Sequence, residues 1–435
     1  MNIFTNISRL VVGSLFIVSG LIKANDPVGF SYKLKDYFAP DVLNLEFLVP
    51  FVLPMAVLIC AVEIVLGVAA LFGSKMKLVS WMLLLMIIFF TFLTFYSAYF
   101  EKVTDCGCFG DALKLTPWES FSKDLVLLVF VLIIFIRKGS IALNTSKEDM
   151  QLLPTSIVLI AIFSYGVISW GFPVYFSISL FALVWFLKNK EQLREKITWV
   201  TFGIPALVSL LFSAYVLMHL PIRDFRPYAI GKNLREDIKS CVELGKQCPK
   251  SLTFYTLKHK ETGEIKEMDS DAYVSTEIWK DKSWEIQGDL TTSREVEAGY
   301  TSPIHDFTMT SLEDGIDITE DVLNDPNYTF LLIAYDIENK NNNAVSAQVN
   351  ALAEKSMTNQ MRFIGLTSSL YENVETFRHE VQAGYDYYTT DEKTLQTILR
   401  SNPGLMLLHD GVVIGKWHHN DIPEYSEIES LISGS

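Results

Sequence analysis

The chain has 435 residues, of which 50% are hydrophobic, with 29 Phe and 8 Trp, yet it carries 50 acidic against 36 basic side chains for a formal net charge of −14. Such an acid excess excludes a polyanion-binding surface as the organising feature, and nucleic acid is not an expected partner. The apolar and acidic residues also occupy different stretches, which excludes a single soluble globule. Up to about Leu220 apolar runs alternate with short polar loops, and from Pro221 onward the sequence is mixed, charged and turn-rich.

A bilayer core requires about 20 apolar residues per helix. Seven runs qualify as expected spans: Ile7 to Ile22, Phe51 to Phe72, Leu78 to Phe100, Trp118 to Ile136, Leu152 to Trp170, Phe172 to Leu187 and Ile197 to Leu220. Gly171 and Pro173 leave only a tight turn between the fifth and sixth, so that pair reads either as two spans or as a re-entrant hairpin. The first run lacks a small-residue cleavage site and reads as a retained anchor. With the N-terminus in the cytoplasm, the inner loops hold ten basic residues: Arg9, Lys75, Lys77, Arg137, Lys138, Lys147, Lys188, Lys190, Arg194 and Lys196. The outer loops hold six: Lys23, Lys33, Lys35, Lys102, Lys114 and Lys123. This bias predicts an inner-membrane protein whose C-terminal region lies in the periplasm or its equivalent.

Five cysteines are present. Cys60 falls within a span and reads as a small buried hydrophobe. Cys106 and Cys108, in Asp105-Cys106-Gly107-Cys108-Phe109-Gly110-Asp111, and Cys241 with Cys248 fall on the expected oxidising side, where paired thiols become disulfides. Cys241 and Cys248 read as a local disulfide staple. A bond between Cys106 and Cys108 would close a very small ring, and strained exposed disulfides are the exchange-prone ones. The pair therefore reads as redox-active, as structural, or as metal-binding thiolates, although two thiolates without a nearby His do not make a zinc site. Internal pairing and pairing with Cys241 or Cys248 both stay open.

Glu63 lies among Cys60-Ala61-Val62 and Ile64-Val65-Leu66, deep in a span, where a carboxylate needs a partner. Lys23 and Asp124 are the candidates for an ion pair or for a pocket holding a quinone ring or a proton. His305, His379, His409, His418 and His419 are scattered, and no metal site is expected.

Ser19-Gly20-Leu21-Ile22-Lys23 with Asp26-Pro27, Glu63 with Leu66-Gly67, the Cys106-Gly107-Cys108-Phe109-Gly110 loop and Lys123-Asp124 occur in an order that resembles the DoxX and MauE type of four-helix membrane protein. The resemblance implies a redox-associated bundle over residues 1–137. Its MauE branch is linked to disulfide formation in methylamine dehydrogenase maturation, and its DoxX branch to quinone-coupled sulfur chemistry. Residues 138–220 then read as additional transmembrane helices.

In the soluble half, the region from Leu252 to Gly299 alternates apolar and polar residues, as in Leu252-Thr253-Phe254-Tyr255, and residues 221–300 are expected to form a small strand-rich linker domain. From residue 301 to 435 strands and helices alternate: a strand at Tyr328 to Tyr335, a helix at Asn343 to Ser356, a strand at Met361 to Leu366, helices at Leu370 to Ala383 and Asp391 to Arg400, and a hairpin of Gly404 to His409 with Val412 to Trp417. This order predicts an α/β sandwich. With Asn402-Pro403-Gly404 before the hairpin it resembles the TlpA-like and peroxiredoxin-like branch of the thioredoxin fold, which implies a cis-proline at Pro403. The resemblance departs at the site itself. Where that family carries Cys-x-x-Cys, this chain reads Asp336-Ile337-Glu338-Asn339-Lys340-Asn341, and no cysteine follows Cys248. The domain is thus expected to bind, not to exchange disulfides.

The fold expected is an α-helical membrane bundle of about seven spans, plus a soluble α/β thioredoxin-like domain and a strand-rich linker. Two functions of different class follow. In one, Cys106 and Cys108, with Glu63, pass electrons between periplasmic thiols and a quinone while the C-terminal domain binds a client. In the other, the protein is a non-catalytic envelope assembly or scaffolding factor.

Overall fold

The structure, a computed structural model, describes residues 3–100, 102, 103, 107 and 109–433, apart from the side chains of residues 194, 195 and 289. The N-terminal half consists of helices α1 (Ile3–Asn25), α2 (Pro27–Phe38), α3 (Val52–Phe72), α4 (Met76–Phe100), α5 (Pro117–Arg137), α6 (Ser146–Gly166), α7 (Phe172–Lys188) and α8 (Ile204–Met218). Five segments are long and apolar enough to cross a membrane: Ile3–Asn25, Glu46–Phe72, Met76–Phe100, Ser146–Gly166 and Trp199–Met218. The seven expected spans thus reduce to five by length and composition. The two others are helices as well, but α5 carries Glu119, Lys123, Asp124 and Arg137, and α7 has only 17 residues.

Lipid-facing stripes support the bilayer. The exposed side chains of α4 include Trp81, Leu85, Ile88, Phe92, Phe95 and Tyr99, at alternating spacings of four and three that mark one face of a helix. Apolar residues on an outward stripe are stable in lipid and costly in water. Helix starts are encoded locally: Thr116 with Glu119 and Thr145 with Glu148 form capping boxes at α5 and α6.

The central seam is α1 against α3, and glycines make it close. A Cβ on Gly13 would lie 2.6 Å from Leu71 Cγ, and one on Gly67 would lie 2.7 Å from the Gly13 carbonyl oxygen. Without a hydrophobic driving force between helices in lipid, such close backbone packing is a main source of association. At one end of this seam buried Arg9 caps α3: Nε donates to Ala70 O at 2.8 Å, and Nη2 to Leu71 O at 2.9 Å and Asn144 Oδ1 at 2.7 Å. A cation there satisfies the orphan carbonyls of a helix C-terminus. The later helices join the bundle: Ser14 on α1 bonds Ser156 on α6 at 2.9 Å, and α6 is tied to α7 by the buried Asp149–Lys188 pair.

Beyond α8 comes α9 (Leu234–Asp237). An antiparallel sheet follows, in which β1 (Lys250–His259) pairs with β2 (Ile265–Asp269), β3 (Trp284–Ile286) and β4 (Thr292–Glu297), with α10 (Ser270–Ser275) inserted. The C-terminal domain is a six-stranded sheet in the order β10 (Val412–His418), β9 (Gly404–His409), β6 (Tyr328–Ile333), β7 (Arg362–Thr367), β8 (Tyr387–Thr389), β5 (Thr310–Ser311). β6, β7 and β8 run parallel, β9 is antiparallel to β6, and β10 pairs antiparallel with β9. Helices α11 (Thr319–Leu323), α12 (Lys340–Thr358), α13 (Tyr371–Val381), α14 (Glu392–Ile398) and α15 (Tyr425–Ser433) complete it. β6 is buried at all but its first residue, as a central strand covered on both faces must be.

Part of the stretch expected as linker packs into this domain. Tyr228 and Leu234 are core residues beside Leu323, Met406 and Val413. The Gly231 N–H donates to Val413 O and the Leu234 N–H to Gly411 O, both at 2.8 Å.

Candidate functional site

The site is built where α1 ends. Lys23 and Glu63 are both buried and pair directly across the α1–α3 seam. Lys23 Nζ also donates to Ser19 Oγ at 2.9 Å and stands 4.8 Å from the Phe90 ring centroid and 5.4 Å from that of Phe30. Gly20 permits the approach, since a Cβ there would meet Ile64 Cγ1 at 2.7 Å. Glu63 Oε2 has no hydrogen-bond partner among the described residues. Of the two partners expected for Glu63, the structure brings Lys23. Asp124 instead pairs with its neighbour Lys123 at 2.8 Å and accepts from Thr94 Oγ1 at 3.1 Å. Both pairs border one cavity among α1, α3, α4 and α5, with a volume near 30 Å³. That is room for about two water molecules.

The cysteine loop approaches the same end of the bundle. Cys106 and Cys108 lie outside the described residues. Their neighbours are placed: Gly107 has φ +68°, a conformation that favours glycine, and a Cβ on it would sit 3.1 Å from Lys33 Cγ on α2. Phe109 packs in the bundle core, and Lys123 Nζ stands 4.9 Å from its ring centroid.

Arg400, which follows α14, reaches this loop from the C-terminal domain. Its Nε bonds Asp26 Oδ2 at 2.8 Å and Oδ1 at 3.1 Å, and its Nη2 lies 3.3 Å from Asp111 Oδ2. Asp26 is itself the N-cap of α2, accepting from the Gly29 N–H at 2.8 Å, with Pro27 at the first helical position. One guanidinium therefore joins the start of α2, the segment just after Cys108 and the C-terminal domain. Burial works to raise the Asp26 carboxyl, but Arg400, Arg226 and the Gly29 N–H outweigh it and hold it below its ordinary value. For Asp111 burial outweighs Arg400, and the carboxyl is raised. Burial works to lower Arg400, but Asp26 and Asp111 outweigh it and hold the guanidinium above its usual value.

Further contacts extend the junction. Tyr32 and Tyr335 hydroxyls are 3.5 Å apart, Asn25 Nδ2 donates to Arg223 O at 2.8 Å, Asn420 Nδ2 donates to Met218 O at 2.8 Å, and His219 Nδ1 lies 2.8 Å from Asp421 Oδ1. Behind them, Asp224 binds Arg226 Nε at 2.7 Å and Lys416 Nζ at 2.6 Å. The two cations outweigh burial and hold the Asp224 carboxyl well below its usual range. Lys416 is pushed down to about 7 by burial and by Arg226, only partly offset by Asp224.

The Asn402–Pro403 peptide is cis, and Asn402 Nδ2 donates to Asp336 O at 2.8 Å. Cys241 and Cys248 are bonded to each other, and Cys60 is buried. Among the described residues no group of three or more His, Cys, Asp or Glu could hold a metal ion.

Arg400, Asp111, Asp224, Arg226 and Lys416 were not singled out by sequence. Asp26 belongs to the Asp26-Pro27 motif and Asp111 closes the cysteine-loop motif, but nothing local to either names the distant cation that pairs with it.

The family described as methylamine utilisation protein MauE matches residues 1–137, ending where α5 ends. No curated protein and no solved structure matches the chain. The match, with the apolar helices and polar cluster it covers, makes residues 1–137 a MauE-like region of a multi-pass membrane protein.

Proposed function

We propose that the chain is a membrane thiol-redox protein in which Cys106 and Cys108 alternate between dithiol and disulfide, exchanging two electrons and two protons with thiols of a client on the side of the C-terminal domain. The observation that carries this reading is the MauE match over the segment containing Cys106-Gly107-Cys108. The position of Gly107 and Asp111 at the junction adds support, because a client held by the C-terminal domain would meet the loop there. We read that domain as a degenerate thioredoxin-like module. Its sheet order, with parallel β6 and β7 followed by the antiparallel β9–β10 hairpin and a cis-proline before β9, supports this. Lacking cysteine, it binds and positions.

A quinone is the electron acceptor that the resemblance implies. The cavity between Lys23–Glu63 and Lys123–Asp124, at about 30 Å³, does not take a quinone ring. No step is routed through one, and the charged residues around this cavity are read as the structural lock of the bundle.

The test is to trap thiols in native membranes by alkylation before and after reduction. A Cys106/Cys108 pair that shifts between oxidised and reduced as client thiols are supplied or withdrawn supports the proposal. A pair fixed in one state under every condition removes it. The cysteine-free C-terminal domain favours the second reading, a scaffolding factor in which the domain only binds, and that reading would then stand.

A further inference from the structure

A cleft of about 530 Å³ opens directly after the final membrane helix. α8 ends at Met218, and the cleft begins at Leu220. Its lining has two chemistries. Ile222 and Ile230 are apolar yet 49% and 61% exposed. Arg223, Lys232 and Lys416 are cationic, with Arg226 beside them, and the one carboxylate, Asp224, is already shared by Arg226 and Lys416. Arg223 and Lys232 are exposed and have no carboxylate partner among the described residues.

This cluster stands out in a chain of net charge −14. An acidic protein is repelled by an anionic leaflet, so a local excess of cations where the chain leaves the membrane reverses the sign at the surface that matters. An anionic leaflet attracts each nearby Lys or Arg, and the attraction fades within about a Debye length of roughly 8 Å. Exposed isoleucines beside those cations suit the region between headgroup and acyl chain, where apolar and polar groups alternate over a few ångströms.

We propose that this cleft binds an anionic phospholipid, with the headgroup phosphate held by Arg223 and Lys232 and the glycerol and upper acyl region lying on Ile222 and Ile230. Lys416, paired with Asp224, lines the floor of the cleft. The site fixes the C-terminal domain to the bilayer surface beside its last helix, independently of any thiol chemistry.

The experiment uses the full chain, delipidated in detergent and titrated with phosphatidylglycerol, phosphatidylcholine or inorganic phosphate, with bound molecules counted by native mass spectrometry. The wild type is expected to retain phosphatidylglycerol over phosphatidylcholine. The double variant Arg223→Gln/Lys232→Gln is expected to weaken that retention roughly 30-fold, the combined effect of two cations at an anionic surface. A control variant, Lys258→Gln/Lys266→Gln, makes the same charge change at two exposed positions of the linker sheet and is expected to leave retention unchanged. Equal retention of the two lipids, or undiminished phosphatidylglycerol binding by the Arg223/Lys232 variant, overturns the proposal. Competition by inorganic phosphate at the same concentration as the lipid also overturns it, in favour of a free-anion site. Melting curves of each variant separate lost binding from lost fold.

Discussion

Two buried ionic clusters lie at the same end of the bundle and are built on different rules. Lys23 and Glu63 are one cation and one acid on adjacent membrane helices, sealed by Phe30, Phe90 and the α1–α3 seam. The junction cluster is unbalanced on each side and balanced only when the halves meet. The membrane half contributes two acids, Asp26 and Asp111. The C-terminal half contributes three cations, Arg226, Arg400 and Lys416, with one acid, Asp224. Joined, three acids face three cations. A self-contained pair locks helices, whereas a cluster neutral only on docking ties one domain to another.

Breaking each cluster sharpens that contrast. The largest effect is expected from Glu63→Ala, which strands Lys23 in the bundle. Removing one partner of a buried pair costs about 3–5 kcal/mol, read as a loss of thermal stability of the whole chain in detergent. A cost near zero would mean that water reaches Lys23. Arg400→Gln leaves Asp26 and Asp111 facing each other. We expect it to cost roughly 2–3 kcal/mol in charged hydrogen bonds, seen as faster hydrogen exchange in α2 and α14 with the α1–α3 seam unchanged. Arg400→Lys restores charge without the planar fork and recovers only part of the protection. If exchange rises uniformly instead, the junction is not a separate cooperative unit.

Gly67→Val tests the seam alone. Overpacking against the Gly13 carbonyl costs about 1–3 kcal/mol, and junction exchange should stay as in the wild type. A further test concerns pH. Lys416 titrates near 7 when folded and near 10.5 when unfolded, so between those values the unfolded chain holds a proton that the folded chain lacks. Stability from this group therefore rises with pH from about 7 to 10.5 and is at its lowest below 7. Lys416→Met should flatten that rise in melting temperature, and an unchanged slope would assign it to other groups.

The sequence makes the first cluster readable and hides the second, for physical reasons. A charge within an apolar run demands a partner, so Lys23 and Glu63 announce each other across 40 residues. Asp124 sends the same signal but finds Lys123 one residue away. Arg400 sits at the end of a soluble helix, 374 residues from Asp26, where a cation looks like ordinary surface charge. Long strands follow the same logic: the apolar run from Tyr328 and the Asp410-Gly411 turn place β6, β9 and β10 from sequence. The two- and three-residue strands β5 and β8 are too short for any alternation to emerge. Tyr228 and Leu234 lie in a Pro-, Arg- and Gly-rich exit stretch that looks like linker, and the Asn233–Val412 bridge and their packing in the core join it to the sheet. Cys106 and Cys108 lie outside the described residues, so their role rests on the loop motif and the family match.

The most direct measurement of the central claim is therefore on that pair. The full chain would be equilibrated in dithiol–disulfide buffers of graded potential, and the fraction of Cys106 and Cys108 that is alkylated would be read by mass spectrometry. The account predicts one reversible transition in which both cysteines change together, with its midpoint displaced in Arg400→Gln because the loop has lost its anchor at Asp111. Two cysteines that stay oxidised or reduced across the whole range, in wild type and variant alike, would contradict it.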